Sequence, residues 1–315
     1  MNTNNPALSI IIPYYNSKEF IEELLSSIPR NKQNEIEVII VDDKSDNDHV
    51  LYLEKLILKY NNYLNINLYF NKGVKSAGTC RNIGLDFAKG KWVLFADADD
   101  YFKKDFYIIV SRYFQSDYDI IFFTPDSFNI RTRKRGIRHI SYENLIWEYL
   151  KNPNKENTLK LKYYFRTPTS KMIKMKVITD NKIRFDEVIV CNDDMFSVKL
   201  GKTIKKICAT KESIYIITEM DNTLSKRRGK NYYLAFLDVN IRVYDYLKRN
   251  LLENEFKILG YDSIAINILI IAYRIYKINI YLLIYTLKRL KENNIPLFKP
   301  IVQKIKKYFF RALPQ

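Results

Sequence analysis

Through the first third of the chain, apolar runs of strand length alternate with stretches of helical periodicity, a pattern that specifies βαβ units and a parallel sheet. The runs are Leu8 to Ile12, Ile36 to Val41, Ile66 to Phe70, Trp92 to Ala96 and Asp119 to Thr124. Between the first two, Phe20, Ile21, Leu24, Leu25 and Ile28 form an i, i+4, i+8 stripe, with Asn16 placed to cap the helix and Glu19 three residues on. A further stripe from Thr79 to Lys89 is followed by Gly90, a residue suited to the left-handed position after a helix end. Loops therefore leave the strand ends at 13–16, 42–48, 71–78 and 97–101. In an open α/β sheet, ligands gather at the carboxyl ends of parallel strands. Those loops are where chemistry is expected.

Composition excludes several classes. With 315 residues, 47% of them hydrophobic and only 8 Gly and 9 Pro, the chain can bury a sizeable core. Cys80, Cys191 and Cys208 are odd in number and lack paired metal spacing, which argues against a disulfide framework or a zinc site. His49 and His139 are the two histidines, and neither adjoins a serine or cysteine nucleophile motif, so histidine-based catalysis is not expected. Met1 to Asn5 shows no basic segment followed by an apolar one, so a secretion signal is not expected and a cytoplasmic location is.

The net charge is +17. Residues 222–315 hold 18 Lys and Arg against 6 Asp and Glu, so the basic character is largely C-terminal. A basic balance calls for an anionic partner: nucleic acid, an acidic lipid surface or a phosphate-bearing substrate. The most apolar stretch, Ile264 to Leu287, is interrupted by Arg274 and Lys277, and its uninterrupted pieces fall short of the ~20 residues that span a bilayer. Helices packed on the body or lying on a membrane surface are expected there. Tyr281, Tyr285, Tyr308, Phe309 and Phe310 suit an interface, and each Lys or Arg near an anionic bilayer gains roughly 1 kcal/mol. Core contact between helices is the plainer alternative.

Three motifs carry chemistry-capable groups. Trp92 to Phe95 runs through Ala96 into Asp97, Ala98, Asp99 and Asp100. Alternate residues of an extended chain point the same way, so Asp97 and Asp99 can face one ligand with Asp100 adjacent. A hard divalent cation, Mn²⁺ or Mg²⁺, is held through one or two such carboxylates plus substrate phosphates. A polar turn capping a strand is the bland alternative. Val38 to Val41 likewise runs into Asp42 and Asp43, whose carboxylates can accept from a uracil-type N–H or from ribose hydroxyls; an Asp-rich turn is the alternative. In Gly73, Ser76, Ala77, Gly78, Thr79, Cys80, Arg81 and Asn82, small residues lead into a helix whose first N–H groups, with Arg81, can meet a diphosphate. There is no G-x-G-x-x-G or Walker A pattern, which disfavours NAD-binding and P-loop readings.

The combination is more specific than its parts. Ser9-Ile10-Ile11-Ile12-Pro13-Tyr14-Tyr15-Asn16, the Asp42-Asp43 turn, Ala77-Gly78-Thr79-Cys80-Arg81-Asn82-Ile83-Gly84 and Ala96-Asp97-Ala98-Asp99-Asp100 follow in that order, and together they resemble the family 2 glycosyltransferases, over about residues 8–225. The resemblance implies an α/β, GT-A (Rossmann-like nucleotide-diphospho-sugar transferase) fold of the surface-polysaccharide or lipooligosaccharide type. We expect a catalytic domain at 1–224, with a nucleotide-sugar-binding half at 1–102 and an acceptor half at 103–224, and a basic helical region at 225–315. Pro13 and Tyr15 would line the uracil-binding loop, with Asp43 and Asp42 on the base. Gly78 and Arg81 would lie near the donor, Asp97 and Asp99 would contact ribose and metal, and Asp99 with Asp100 is the alternative metal pair.

The family's Glu-Asp-x-x-Phe motif, whose Asp is the catalytic base, is matched by Asn192-Asp193-Asp194-Met195-Phe196 after Arg184-Phe185-Asp186-Glu187. Counting back from Phe196 selects Asp193, with Asp194 a competing carboxylate and Asn192 where Glu is usual. Lys171, in a family-like segment from Arg166 to Met172, is a candidate phosphate contact, with a solvated lysine the plainer alternative. Lys226, Arg227 and Arg228 could cover the donor diphosphate or an anionic lipid, or form an exposed linker. The Gln-x-x-Arg-Trp motif of processive synthases is missing, which favours transfer of a single sugar.

The expected reaction is a metal-dependent, inverting transfer from a UDP-sugar to a glycan or lipid-linked glycan, on the cytosolic face and peripheral to the membrane. An acceptor hydroxyl has too high a pKa to attack as an alkoxide, so a carboxylate must take its proton during attack. A nucleotidyltransferase is the enzyme alternative, but the loop Pro13-Tyr14-Tyr15-Asn16 lacks that class's Gly-rich, basic character. A nucleic-acid-binding protein is the other alternative. The cations cluster away from the carboxylate half and no RNA-binding aromatic signature is present, so no nucleic-acid partner is expected.

Overall fold

A computed structural model of the chain describes residues 5–220 and 229–297. It separates into two compact units, Met1–Thr223 and Leu224–Gln315. The first unit runs β1 (Leu8–Tyr14), α1 (Ile21–Ser27), β2 (Ile36–Asp42), α2 (Asn47–Tyr60), β3 (Asn65–Phe70), α3 (Ala77–Phe87), β4 (Trp92–Phe95), β5 (Tyr101–Phe102), α4 (Phe106–Ser111) and β6 (Ile120–Phe123). It continues with β7 (Asp126–Asn129), β8 (Lys134–Arg135), α5 (Ile140–Lys151), α6 (Lys155–Tyr164), β9 (Lys171–Lys174), α7 (Met175–Asp180), α8 (Asp194–Thr203), β10 (Ile207–Thr210) and β11 (Tyr215–Glu219).

A seven-stranded sheet has the order β10-β6-β9-β4-β1-β2-β3, and a four-stranded sheet the order β5-β11-β7-β8. The five apolar runs all become strands of the larger sheet. They share one direction except that β9, between β4 and β6, runs antiparallel to both, so the sheet is mixed rather than wholly parallel. The strands are apolar on both faces because both are covered. Ile10, Ile12, Val38, Ile40 and Leu94 pack with Leu24, Leu25, Leu53 and Leu56 on one side. Ile11, Ile39, Val41, Val93 and Phe95 pack with Cys80, Leu85, Ile178 and Phe196 on the other.

Two local expectations are corrected. Asn16 does not cap α1, whose N-cap is Phe20. It sits instead at φ 46, and its amide group reaches the start of α2: Nδ2 donates to Asp46 Oδ2 (2.9 Å) and Oδ1 accepts from the Asp46 amide (2.9 Å). Gly90 is not a left-handed terminator, since the only glycines of positive φ among the described residues are Gly229 and Gly260. It is required because a Cβ there would lie 2.5 Å from the backbone nitrogen of Ser9. Its amide and that of Lys89 donate to the buried carboxylate of Glu37 at 3.1 and 2.6 Å, which Ser9 Oγ also meets at 2.6 Å.

The second unit holds α9 (Lys230–Asn250), α10 (Glu253–Ile258), α11 (Ile264–Arg274) and α12 (Ile280–Glu292). The apolar stretch from Ile264 to Leu287 is split into α11 and α12 at a bend where Lys277 adopts φ 48. No helix among the described residues is long and apolar enough to cross a membrane. Lys226, Arg227, Arg228, Tyr308, Phe309 and Phe310 lie outside the described residues.

Candidate active site

The carboxyl ends of β1, β2 and β3 meet at one corner. The Asp43 amide donates to Tyr14 O (2.7 Å), and the Asp43 carboxylate accepts from Asn71 Nδ2 (2.7 Å) and from the Cys80 thiol. Burial pushes the Asp43 carboxyl above its ordinary range, against the pull of those hydrogen bonds. Asn71 also ties its own loop, donating to Val74 O and accepting from the Gly73 amide. Motif reading passed over Asn71, because a lone Asn after a strand carries no pattern. Asp42 takes the plainer role, its carboxylate accepting from the Ser45 amide (3.2 Å) in a turn. Pro13 is half-buried in register with Val41. Tyr15 is exposed at the rim, with Lys75 Nζ 3.6 Å from its ring centroid.

Beyond β4 the acidic run is a turn, closed by the Asp100 amide donating to Asp97 O (3.1 Å), and it divides by burial. Asp97 and Asp99 are half-buried whereas Asp100 is 4% exposed. Asp100 accepts from the Thr218 amide (2.8 Å) and from the Tyr215 hydroxyl, so it braces the turn against β11. Tyr215 also receives the Asp97 amide (2.8 Å). Burial, then the neighbouring Asp97 charge, raise the Asp99 carboxyl to about 6. Among the described residues no group of three or more His, Cys, Asp or Glu side chains is gathered to cage a metal. Two carboxylates that repel each other at a strand end nevertheless fit a hard cation whose other ligands are diphosphate oxygens. Each of the two metal pairs open in the sequence has one carboxylate already engaged, Asp97 by Arg81 (2.7 Å) and Asp100 by the Thr218 amide and the Tyr215 hydroxyl; Asp97 is the more exposed of the two.

Arg81 joins this acidic end to the second half of the domain. On α3 and only 5% exposed, it donates from Nη2 to Asp97 Oδ1 (2.7 Å) and from Nη1 to Asn192 Oδ1 (2.9 Å). Its guanidinium therefore serves as a bridge, where the sequence suggested a diphosphate contact. Asn192, which replaces the usual Glu, supplies the acceptor. Gly78 is likewise buried against the 185–192 loop: a Cβ there would lie 2.1 Å from the Asp186 carbonyl oxygen. One turn on, Asn82 exchanges two hydrogen bonds with the Phe185 backbone, at 3.0 and 2.9 Å. Beneath, Phe185 stacks on Phe196 (3.9 Å between centroids) and both meet the Phe95 edge.

Asp193 and Asp194 open α8 with different fates. Asp194 is buried and ion-paired with Arg166 (2.9 Å). Asp193 occupies the N-cap without a side-chain capping bond. Burial first, then the Asp194 charge, hold its carboxyl above the ordinary range, while Arg81 and Lys171 pull it down. Lys171 itself is corrected: it is neither solvated nor placed to meet a phosphate. It is 1% exposed, and its Nζ donates to Phe165 O (2.8 Å) and Ser197 Oγ (3.3 Å); desolvation lowers it to about 7. A cavity of about 680 Å³ lined by Asp117, Tyr149, Lys162 and Lys206 opens near the amino ends of β6 and β10 and shares none of these residues.

Comparison with known proteins gives the family and the fold. The model of the glycosyl transferase family 2 matches residues 9–182, more than half of the chain. The chain is 26% identical over 236 residues to the poly(ribitol-phosphate) beta-N-acetylglucosaminyltransferase TarS of Staphylococcus aureus, covering 73% of this chain and 37% of that protein. It is 27% identical over 234 residues to the poly(ribitol-phosphate) beta-glucosyltransferase of Bacillus spizizenii, covering 73% and 34%. The chain thus spans about a third of the length of these curated relatives. The crystal structure of S. aureus TarS 1–349 with UDP-GlcNAc superposes with a TM-score of 0.64 at 22% identity, covering 86% of this chain and 73% of that one. A mannosyltransferase of Pyrobaculum calidifontis, in complex with GDP-Man and Mn²⁺, gives 0.55 at 13% identity, covering 80% and 67%. With the family model spanning both the Asp43 corner and the Asp97 strand end, the chain belongs to glycosyl transferase family 2, with a GT-A fold and a C-terminal helical extension.

Proposed function

We propose that the protein transfers a single sugar, with inversion, from a UDP-sugar to a hydroxyl of a glycan or lipid-linked glycan in cell-surface polysaccharide synthesis, working on the cytoplasmic side of the membrane as a peripheral protein. The observation that carries this reading is the Arg81 bridge, which ties Asp97 to Asn192, the neighbour of Asp193, although Asn192 lies 111 residues from Arg81 in the chain. It sets a donor-binding acidic end and a candidate base on two sides of one guanidinium. The UDP-GlcNAc and GDP-Man bound by the structural neighbours support a nucleotide-sugar donor.

In this reading Asp43, held in place by Asn71, offers the base edge an acceptor, and Tyr15 offers a face. Asp97 and Asp99 would hold Mn²⁺ or Mg²⁺; when bound, the cation offsets the negative charge of the departing diphosphate. Asp193 accepts the acceptor hydroxyl's proton. A carboxylate raised toward neutrality by burial is a stronger base than an exposed one yet still largely ionised at pH 7. Asp194, held by Arg166, keeps that base basic through its charge. A base and a leaving group on opposite faces of the sugar ring give one displacement and an inverted anomeric centre.

The test is nucleotide release from a panel of UDP-sugars with Mn²⁺ and a surface-glycan acceptor fraction. Asp193→Asn should lower kcat by about 10²–10⁴-fold while donor KM stays near that of the wild type. Full transfer by this variant would remove Asp193 from the role of base, and turnover unaffected by chelation would remove the metal.

A further inference from the structure

The carboxylate cleft leaves unexplained a run of cations beside it. Ile130 to Arg138 reads Ile-Arg-Thr-Arg-Lys-Arg-Gly-Ile-Arg, with five cations and no carboxylate. The run forms the turn and second strand of the β7–β8 hairpin and the loop that follows.

Register places the hairpin at the cleft. β5 follows Asp100 directly and runs antiparallel to β11, with Tyr101 opposite Ile216; β11 runs parallel to β7, with Ile216 opposite Asp126. Going back from Tyr101 through Asp100 to Asp97 is therefore the direction in which β7 advances to Asn129 and its turn. Thr218 links the two directly: its amide donates to Asp100 (2.8 Å) and its carbonyl accepts from Arg138 Nη1 (3.3 Å). The Arg138 charge is felt at Asp99.

The loop is also built rather than loosely draped. Glu219 Oε1 accepts from the amides of Ile137 and Arg138 (2.6 Å each) and from Ser127 Oγ (2.9 Å), and Gly136 packs where a Cβ would lie 2.2 Å from that oxygen. Arg135 is taken up by Asp126 (2.8 Å) and Glu143 (3.2 Å). Arg133, Lys134 and Arg138 are exposed and have no ion-pair partner among the described residues. Cations fixed on one side of a cleft raise the local concentration of anions there.

We propose that Arg133, Lys134 and Arg138 form an anion subsite on the acceptor side of the cleft, engaging phosphate carried by the acceptor. This rests on the glycosyl-transfer reading above. Arg138 is the inner member, its charge felt at Asp99. Distance separates Lys134 on β8 and the adjacent Arg133 from the donor: β8 is the third strand out from β5, about 14 Å away at about 4.8 Å per strand. That is too far for Lys134 to meet a diphosphate at Asp99, and suits a phosphate one or two units from the reacting hydroxyl. Two sources share this chemistry, a phosphodiester polymer and a polyisoprenyl diphosphate.

The experiment uses the full chain with UDP and Mn²⁺ present. Binding is measured to a fluorescent poly(ribitol phosphate) oligomer, to a polyisoprenyl-diphosphate-linked sugar in neutral phosphatidylcholine vesicles, and to an uncharged dextran oligomer. We expect binding to a phosphate probe and not to dextran, weakened about tenfold by Arg133→Ser/Lys134→Ser. UDP affinity should stay constant, and Lys55→Ser/Lys151→Ser, which removes equal charge elsewhere, should bind the probe like the wild type. Binding to the polymer alone or to the lipid alone supports the subsite and names its source. The proposal is overturned if a wild type that binds UDP binds neither phosphate probe. It is equally overturned if both double variants weaken binding alike, or if UDP affinity falls in parallel with probe binding. Failure of the wild type to bind UDP or any other nucleotide diphosphate would sink the glycosyl-transfer reading itself, and this subsite with it.

Discussion

Two adjacent aspartates at the start of α8 show how little of a residue's role is decided by its type. Asp194 spends its charge on Arg166, whereas Asp193 has no ion-pair partner among the described residues and is titrated by its surroundings. The pH dependence follows from the sign of that perturbation. Asp193 must be ionised to act, and its carboxyl is raised, so kcat should climb with pH along an acid limb lying above the ordinary carboxylate value of about 4. Asp194→Asn removes the second cause of the shift while keeping an oxygen for Arg166 to donate to. The limb should then move to lower pH, by up to about one unit, with substantial activity retained. This is read from kcat between pH 4.5 and 8 at saturating donor. A limb that stays in place would show that another group governs it; loss of turnover matching that of Asp193→Asn would exchange the two assignments.

At the scale of elements, what could be read from the sequence was whatever is local. Strand runs, the acidic strand ends and the helical stripes are set by periodicity within a few residues, and each appears where the pattern puts it. At Asp97 to Asp100 the strand's alternation does not continue: the run closes as a turn, the Asp100 amide on Asp97 O (3.1 Å), which was the bland alternative there. Contacts between distant segments were not. Nothing near Gly90 reports that Ser9 will press on it, nothing in Lys171 reports that β9 runs antiparallel into the core, and Arg81 reads as a phosphate ligand until Asn192 is brought beside it. Gly78 sets the two kinds of information in opposition. Helix propensity favours Ala over Gly in α3 by about 1 kcal/mol. The contact opposes it, because the new Cβ would lie 2.1 Å from a backbone oxygen that cannot swing aside. Overpacking of that kind costs about 1–3 kcal/mol. Gly78→Ala should therefore lower Tm by roughly 2–6 °C and, by displacing the 185–192 loop, reduce kcat more than donor KM. Thermal unfolding and steady-state kinetics on one preparation check both, and a higher Tm would show that the loop yields freely.

On the scale of the whole molecule, charge and apolar surface are distributed unequally. The first unit exposes scattered apolar side chains such as Leu58 (72%), Ile108 (63%) and Ile137 (73%), whereas the helical unit exposes Ile270 (46%), Tyr273 (76%), Ile280 (61%), Tyr281 (79%) and Ile284 (58%) on the two helices α11 and α12. Arg274, Lys277, Lys288 and Lys291 stand among or beside them, and the sequence from 222 onward carries a net excess of cations. Apolar and aromatic side chains ringed by cations match the boundary of an anionic bilayer, where burial of the first and attraction of the second add. Two uncharged apolar faces between helices would show the first without the second. The peripheral attachment proposed above therefore predicts that the full chain sediments with phosphatidylglycerol vesicles more than with phosphatidylcholine vesicles, and less as salt is raised. Tyr281→Ser/Ile284→Ser should weaken the partition about tenfold or more while nucleotide binding stays unchanged, because each lost side chain forfeits roughly 1.5–3 kcal/mol of apolar burial. Salt-sensitive binding that survives the substitution would assign the interaction to charge alone. Partition into neither vesicle type would mean that the exposed face does not meet lipid, and that a lipid-linked acceptor has to be reached without help from the C-terminal helices.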